Sequence, residues 1–289
     1  MRPPAFGYTA PTTVHEIVAL LKEHGADARV MAGGQSLVPL MNLRMIRPAL
    51  LIDLNRCPEL GQIERRGQEL VFGAMVRQLD AARSPLVQEH CPLVAQALEL
   101  AGPVAVRARS TVGGTLAHAD RVAELGAVAV ALEATLVIES TSGRREVGAS
   151  TFFLGDLSTV IEPHEFLREV RFPVSGSASF SSFAEASVRR EGVAVVGLAV
   201  QLQRQGLQLR QAALVAMGVE STPVRLRRAE ALLLQRGLGS GAIKEVAAIA
   251  AGEVAPMPDI YASAAYRRHV IGALLDKALH SAAGRTDHA

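Results

Sequence analysis

Ala32-Gly33-Gly34-Gln35-Ser36 and Thr111-Val112-Gly113-Gly114-Thr115 are the two stretches whose reading decides the fold of this chain. Each sets a Gly-Gly pair beside a small hydroxyl residue. Val30, Met31 and Leu37 flank the first run, and Leu116 follows the second. Glycine carries no Cβ, so the backbone N–H groups of such a run can approach a ligand that a side chain would hold off, and anionic oxygens suit them best. A single pair reads as a tight turn. Two pairs, far apart in the chain, fit one long ligand with two phosphates as well as they fit two structural turns.

The surrounding pattern is strand and helix in alternation. Residues 13–24 place Val14, Ile17, Val18 and Leu21 at helical spacing behind a Thr13/Glu16 capping box, with Gly25 past the end. A short strand at 29–32 runs into the first glycine run, followed by a short helix at 37–43 and a buried strand at 50–54. This first unit covers 1–55. A second, 56–174, holds a strand at 69–73, a helix at 92–101, the second glycine run as a loop, a helix at 124–132 and a strand at 135–139 turning at Ser142-Gly143, and it closes around Phe172-Pro173. Ser175-Gly176-Ser177-Ala178-Ser179 reads as a linker. In the third unit, 175–289, an antiparallel meander at 180–188, 194–203 and 207–218 turns at Gln205-Gly206. Three helical stretches follow, the last at 262–282, with a frayed end at 284–289.

Composition narrows the function classes. The chain has 289 residues, 49% of them hydrophobic, which supports a large core. Thirty basic residues balance 28 acidic ones at a formal net charge of +2, aromatics make up 4%, and there is no Trp. That is neither the basic field nor the stacking surface of a nucleic-acid binder. The N-terminus lacks a signal-peptide core, and the apolar run 126–132 is too short for a membrane span, so a cytoplasmic protein is expected. Cys57 and Cys91, each beside a proline, read as buried thiols. Two cysteines cannot ligate an all-cysteine iron–sulfur cluster, and the eight histidines show no metal-binding spacing, so any redox metal must come from a partner.

Other motifs are discounted by context. There is no phosphate-loop lysine motif and no nucleophile elbow. Gly237-Leu238-Gly239-Ser240-Gly241-Ala242 fits the dinucleotide fingerprint, but a helical segment at 223–236 precedes it where a strand is required, so it reads as a turn between helices. Arg225, Arg227 and Arg228 read as a solvated helix face. His15 and His24 belong to the opening helix and have no catalytic partner. His118 and Asp120 stand directly after the second glycine run, where they can either reach a ligand or hold the turn.

The runs Ala-Gly-Gly-Gln-Ser-Leu at 32–37, Leu-Ile-Asp-Leu-Asn-Arg at 51–56, Thr-Val-Gly-Gly-Thr-Leu-Ala-His-Ala-Asp at 111–120 and Phe-Phe-Leu-Gly at 152–155 resemble, in matching order, the FAD-binding medium subunit of molybdenum hydroxylases. Carbon monoxide dehydrogenase, xanthine dehydrogenase and N-heterocycle dehydrogenases share that subunit type. The resemblance implies an α+β fold: two subdomains clasping FAD, of the vanillyl-alcohol oxidase or peptidoglycan-precursor reductase type, plus a C-terminal α+β domain with a small antiparallel sheet and helices. It implies noncovalent FAD, its pyrophosphate held by the backbone amides of Ala32, Gly33, Gly34, Gln35 and Ser36 and of Thr111, Val112, Gly113, Gly114 and Thr115, with hydroxyl contacts from Ser36 and Thr111. Asp120 would shape the second loop, Glu124 would stand near the cofactor and Ile161 near the flavin ring.

By the same resemblance, the molybdenum cofactor belongs on a large subunit and the [2Fe–2S] clusters on a small one, in a dimer of heterotrimers. This chain then passes electrons to an external acceptor and needs no catalytic residue of its own. It departs from the family pattern at Arg121 (usually Pro), at Glu124 (usually Asp), in Arg107-Ala108-Arg109-Ser110 (usually Arg-Asn-Arg-Gly) and in Glu191-Gly192-Val193-Ala194 (usually Gly-Asp-aromatic-Ala). A stand-alone flavin oxidoreductase of the same fold and a FAD-less scaffold subunit remain open alternatives.

Overall fold

A computed structural model of the chain describes residues 2–176, 178–189, 192–206 and 208–284. The first sheet is built from β1 (Gly7–Thr9), β2 (Ala28–Met31) and β3 (Leu50–Asp53), with α1 (Val14–His24) and α2 (Leu37–Asn42) between strands. β3 lies in the middle, parallel to both neighbours. The α1 capping box is formed: Glu16 N donates to the Thr13 hydroxyl at 3.2 Å, and the Glu16 carboxylate accepts from Thr13 N at 3.3 Å. Val14, Ile17, Val18 and Leu21 are buried against Ile52, Leu54 and Leu60.

The second sheet is wholly antiparallel. Its strands are β4 (Ile63–Arg66), β5 (Glu69–Gly73), β6 (Thr135–Ser140), β7 (Gly143–Gly148) and β10 (Phe166–Pro173), in the order β4-β5-β10-β6-β7. Between β5 and β6 run α3 (Gln78–Arg83), α4 (Pro85–His90), α5 (Pro92–Leu100), α6 (Val104–Arg107), α7 (Val112–His118) and α8 (Glu124–Ala131); between β7 and β10 come α9 (Ala149–Phe152) and the hairpin β8 (Phe153–Gly155) and β9 (Ser158–Thr159). Phe72 and Phe172 meet edge to face at 5.4 Å in this core. Every residue of α8 after Glu124 is buried. A helix apolar all round must be covered all round, and α8 packs against α5 on one side and the third sheet on the other.

That third sheet is the antiparallel run β11 (Ser179–Ser187), β12 (Ala194–Gln205), β13 (Gln208–Met217) and β14 (Val224–Arg225), followed by α10 (Arg227–Arg236), α11 (Ser240–Glu253) and α12 (Ala264–Gly284). Strand side chains alternate between faces. Val196, Leu198, Val200, Leu202, Leu214 and Ala216 pack into the core with α10 to α12, while Ala199, Ala213, Val215 and Met217 join the core containing α5 and α8. Both faces are covered, which explains the nearly unbroken apolar run of β12.

The structure departs from the sequence reading in three places. The second glycine run is not a loop: Thr111 caps α7, and Gly113 and Gly114 lie in its first turn. The segment 223–236 is not all helix, because Val224–Arg225 pair with β13. Arg225 therefore lies on a strand, with its guanidinium on Glu230 at 2.9 Å and on Glu133 at 2.6 Å, rather than on a solvated helix face. The expected linker is tied down at its start, where Val174 N donates to Gln68 O and Ser175 N to His90 O at 2.7 Å; Ser177 lies outside the described residues, as do Leu207 and the expected frayed residues 285–289. The decoy fingerprint at 237–242 falls between α10 and α11. Both cysteines are free and buried, and burial pushes the Cys91 thiol up to about 12.

Candidate cofactor site

The two glycine runs come together through backbone contact. A Cβ on Gly33 would lie 2.2 Å from the carbonyl oxygen of Arg109 and 2.9 Å from Ser110 Cα, and one on Gly114 would lie 3.0 Å from Ala32 Cβ. Gly34 takes a left-handed φ of +72°, which turns the chain from β2 into α2. A polar network ties the runs together. Tyr8 donates to Asp53 at 2.6 Å, Asp53 accepts from Asn55 Nδ2 at 2.5 Å, and the same Asn55 amide donates to Ala32 O at 2.9 Å. Arg77 completes the link, donating to Asn55 Oδ1 at 2.5 Å and to Arg109 O at 2.6 Å. Burial, with Arg109 nearby, pulls its guanidinium pKa below the ordinary arginine value.

Hydrogen-bond accounting separates the two runs. In the second, Val112 N donates to Val76 O, Gly113 N to Ala74 O, Gly114 N to the Thr111 hydroxyl and Thr115 N to Thr111 O, at 2.9 to 3.0 Å. Those amides are already used by the fold. In the first, the N–H groups of Gly33, Gly34, Gln35 and Ser36 find no acceptor among the described residues. Four consecutive free donors need a ligand or water. The second run offers hydroxyls instead: Thr115 Oγ1 accepts from Gln78 Nε2 at 2.8 Å, which leaves its proton free to donate outward.

Both runs line one cavity of about 600 Å³, within the ~300–1,000 Å³ usual for ligand clefts. Ala32, Gly33, Gly34, Gln35, Ser36, Thr111, Gly113, Gly114, Thr115 and Ile161 all line it. Val112, Asp120 and Glu124 do not; Val112 points into the core at 0% exposure. Leu21, Val30, Leu40, Ile46 and Leu54 give the first-sheet side an apolar wall, while His118, Leu157, Thr159 and Pro163 form another wall. Glu165 also faces in, but Arg145 binds it at 2.6 Å and holds its carboxyl below the usual range. Free backbone donors between apolar walls, with the Glu165 carboxylate paired to Arg145, suit a ligand with rings at its ends and phosphates between them.

Residues 4–175 match the family described as the FAD binding domain in molybdopterin dehydrogenase, and residues 181–282 match the CO dehydrogenase flavoprotein C-terminal domain. The chain belongs to the FAD-binding medium-subunit family of molybdenum dehydrogenases. The carbon monoxide dehydrogenase medium chain of Hydrogenophaga pseudoflava is 35% identical over 285 residues, covering 99% of each chain. The 6-hydroxypseudooxynicotine dehydrogenase complex subunit alpha of Paenarthrobacter nicotinovorans is 36% identical over 287 residues, covering 99% of this chain and 97% of that one. Among solved structures, carbon monoxide dehydrogenase from Hydrogenophaga pseudoflava matches with a TM-score of 0.95 at 37% identity, and quinoline 2-oxidoreductase from Pseudomonas putida 86 with 0.94 at 33%, each covering 99% of both chains.

As in the family, this medium subunit is an oxidoreductase component whose cofactor is FAD. The remaining expected residues, Asp120 and Glu124, are not among those lining the cleft. Asp120 holds the turn after α7 by accepting from Val122 N at 3.1 Å. Glu124 opens α8, and burial, with Glu185 and Asp120 near, pushes its carboxyl up to about 8. Burial pushes Glu185 up to about 7, and its Oε2 has no hydrogen-bond partner among the described residues. Val193, where the family usually carries an aromatic, is 73% exposed; Glu191 lies outside the described residues. Sequence reading assigned no role to Tyr8, Asp53, Asn55, Arg77 or Gln78. The run 51–56 reads as a buried strand and as part of a family pattern, neither of which gives Asn55 its role, and the contacts of Arg77 and Gln78 join segments whose approach no local pattern announces.

Proposed function

We propose that this medium subunit is the electron-transfer component of a heterotrimeric molybdenum hydroxylase. It receives electrons from [2Fe–2S] clusters on a small subunit, which drain a molybdenum cofactor on a large one, and it delivers them to an external acceptor. FAD, when bound, supplies the step between one-electron donors and a two-electron acceptor. The observation that carries the reading is the four N–H groups from Gly33 to Ser36 without an acceptor among the described residues, in a run that lines a cleft of cofactor size, in a chain that matches the family over residues 4–175 and 181–282.

The chain's own residues bind and orient. The Gly33 to Ser36 amides take the pyrophosphate oxygens, and Thr115 adds a hydroxyl donor. Leu21, Val30, Leu40 and Leu54 give a ring an apolar wall and exclude water from it. Asn55 and Arg77 keep the two glycine runs at a fixed separation. No acid–base dyad is required of these residues, because the transfer is of electrons. The relatives' names span carbon monoxide, caffeine and nicotine chemistry on similar subunits, which fits substrate choice residing on another chain.

Expression alongside the partner subunits tests this. The complex should contain iron and molybdenum, and this chain should be yellow, with flavin released into solution on denaturation. A colourless chain that cannot be reconstituted with FAD would remove the reading, as would an isolated chain that oxidises a substrate at the full rate of the complex.

A further inference from the structure

We infer that Arg121 is a positioning residue that fastens one wall of the cleft to the C-terminal domain. Three segments distant in sequence meet on it. Its N–H donates to Asp156 Oδ1 at 3.2 Å, its Nη2 donates to Asp259 Oδ2 at 2.9 Å, and its carbonyl accepts from Gly218 N at 2.9 Å. Asp156 sits in the turn between β8 and β9, Gly218 just past the end of β13, and Asp259 between α11 and α12. Arg121 itself belongs to the turn leaving α7.

What Arg121 fastens is a piece of cleft wall under conformational constraint. Ala119 and Leu157 both hold left-handed conformations, at φ of +54° and +56°, and Leu157 N donates to Ala119 O at 2.9 Å. L side chains adopt that region only where the surroundings impose it. Leu157 lines the cavity, as does His118 one residue before Ala119. With Arg121 two residues beyond Ala119 and bonded to the neighbour of Leu157, the constraint on both residues runs through it.

The anchor at the other end is rigid. Asp259 Oδ2 also takes Arg267 Nη2 at 2.5 Å, and Oδ1 accepts from Tyr261 N and Ala262 N at 2.9 and 3.0 Å. Arg267 is 1% exposed and donates to the carbonyls of Val195 and Gly218 at 2.5 Å each. Gly218 is therefore held on both sides, by Arg267 at its oxygen and by Arg121 at its nitrogen. An ion pair between mobile surface chains contributes little to stability. This one has a carboxylate fixed by backbone donors and a second arginine, and a cation whose own backbone is bonded at both its N–H and its C=O.

The functional half of this inference rests on the FAD reading; the mechanical half does not, and the test separates them. Hydrogen exchange on the FAD-free chain reads the Leu157 and Gly218 amides. In Arg121→Ala, which keeps the backbone bonds to Asp156 and Gly218 and loses the guanidinium's bond to Asp259 Oδ2, both should exchange about tenfold faster than in wild type, while Arg225→Ala, which removes ion pairs elsewhere, leaves them unchanged. FAD should then leave the reconstituted Arg121→Ala protein about tenfold faster than wild type, with Arg121→Lys intermediate and Asp259→Asn repeating the defect. If Arg121→Ala fails to fold, Asp156→Ala, which removes the acceptor of the Arg121 N–H, replaces it with the same expectation. Unchanged exchange at Leu157 overturns the inference. Faster exchange with wild-type FAD release overturns the positioning role and leaves Arg121 a structural ion pair. A wild-type chain that takes up no FAD sinks the proposed function, while the exchange result still decides whether Arg121 fastens the wall.

Discussion

Adding one methyl group at Gly33 should separate the two glycine runs and weaken FAD binding, which an equally destabilising change elsewhere would not do. The Cβ of Gly33→Ala would sit 2.2 Å from Arg109 O and 2.8 Å from Arg109 C. Those atoms cannot retreat freely, because Arg109 O is held by Arg77 at 2.6 Å and Ser110 O accepts from Gln78 N at 2.9 Å. Relief requires a movement of about 1 Å, and overpacking of this kind costs about 1–3 kcal/mol. The same movement carries the Gly33 to Ser36 donors out of line with a phosphate; N–H···O bonds weaken beyond about 3.2 Å, and a bond to a charged group contributes about 1.5–3 kcal/mol. Loss of one to two such bonds predicts an FAD dissociation constant raised about 100-fold. Titrating apo chain into FAD and following flavin fluorescence measures it, with thermal unfolding run in parallel. Gly67→Ala is the control: its φ is +63° with nothing within 4 Å of the added Cβ, so it should cost about 1–2 kcal/mol of stability and leave FAD affinity alone. Wild-type affinity in Gly33→Ala, or equal loss in both variants, would refute the reasoning.

Asn55→Ala removes the link from Ala32 O to Arg77 and leaves a half-buried guanidinium without that acceptor; FAD affinity by calorimetric titration should fall about tenfold, more than for a surface alanine substitution. Thr115→Val takes away the acceptor for Gln78, which is 4% exposed, and should destabilise the FAD-free chain by about 1–3 kcal/mol in denaturant unfolding. Glu124 and Glu185 hold protons more tightly folded than unfolded, so the folded state binds the extra protons between the ordinary carboxylate pKa and about 8. Stability is then greatest below that window and falls as pH rises through about 7 to 8. Melting temperature against pH should show this decline in wild type and a flatter profile in Glu124→Gln; an identical profile would count against the burial of that carboxyl.

Much of the fold is legible where local chemistry decides it. Thr13, Glu16 and the spacing of Val14 to Leu21 specify α1 without help from the rest of the chain, and the nearly unbroken apolar run of β12 fits a strand covered on both faces. The glycine runs identify the cleft, and the structure brings most of their residues to one cavity. What sequence could not show is that the two runs differ. Which amides are free depends on Val76 O and Ala74 O reaching Val112 and Gly113, contacts between segments whose approach is set by the second core. The same holds for β10, which lies in the centre of its sheet and is paired to β5 and β6 from far away in the chain. Arg225 sits in a helical pattern by sequence, and its partners, Glu133 and Glu230, are brought to it by a two-residue strand too short to leave a pattern.

On the proposed function, the free amides of the first run, rather than those of the second, receive the FAD pyrophosphate. Backbone amide NMR of the isotope-labelled chain, titrated with FAD, tests it most directly. Large downfield proton shifts are expected at Gly33, Gly34, Gln35 and Ser36, as new hydrogen bonds to a charged acceptor form. Small changes are expected at Val112, Gly113, Gly114 and Thr115, whose protons are already bonded within the fold. Large shifts confined to the second run, or none at the first when FAD is bound, would contradict it.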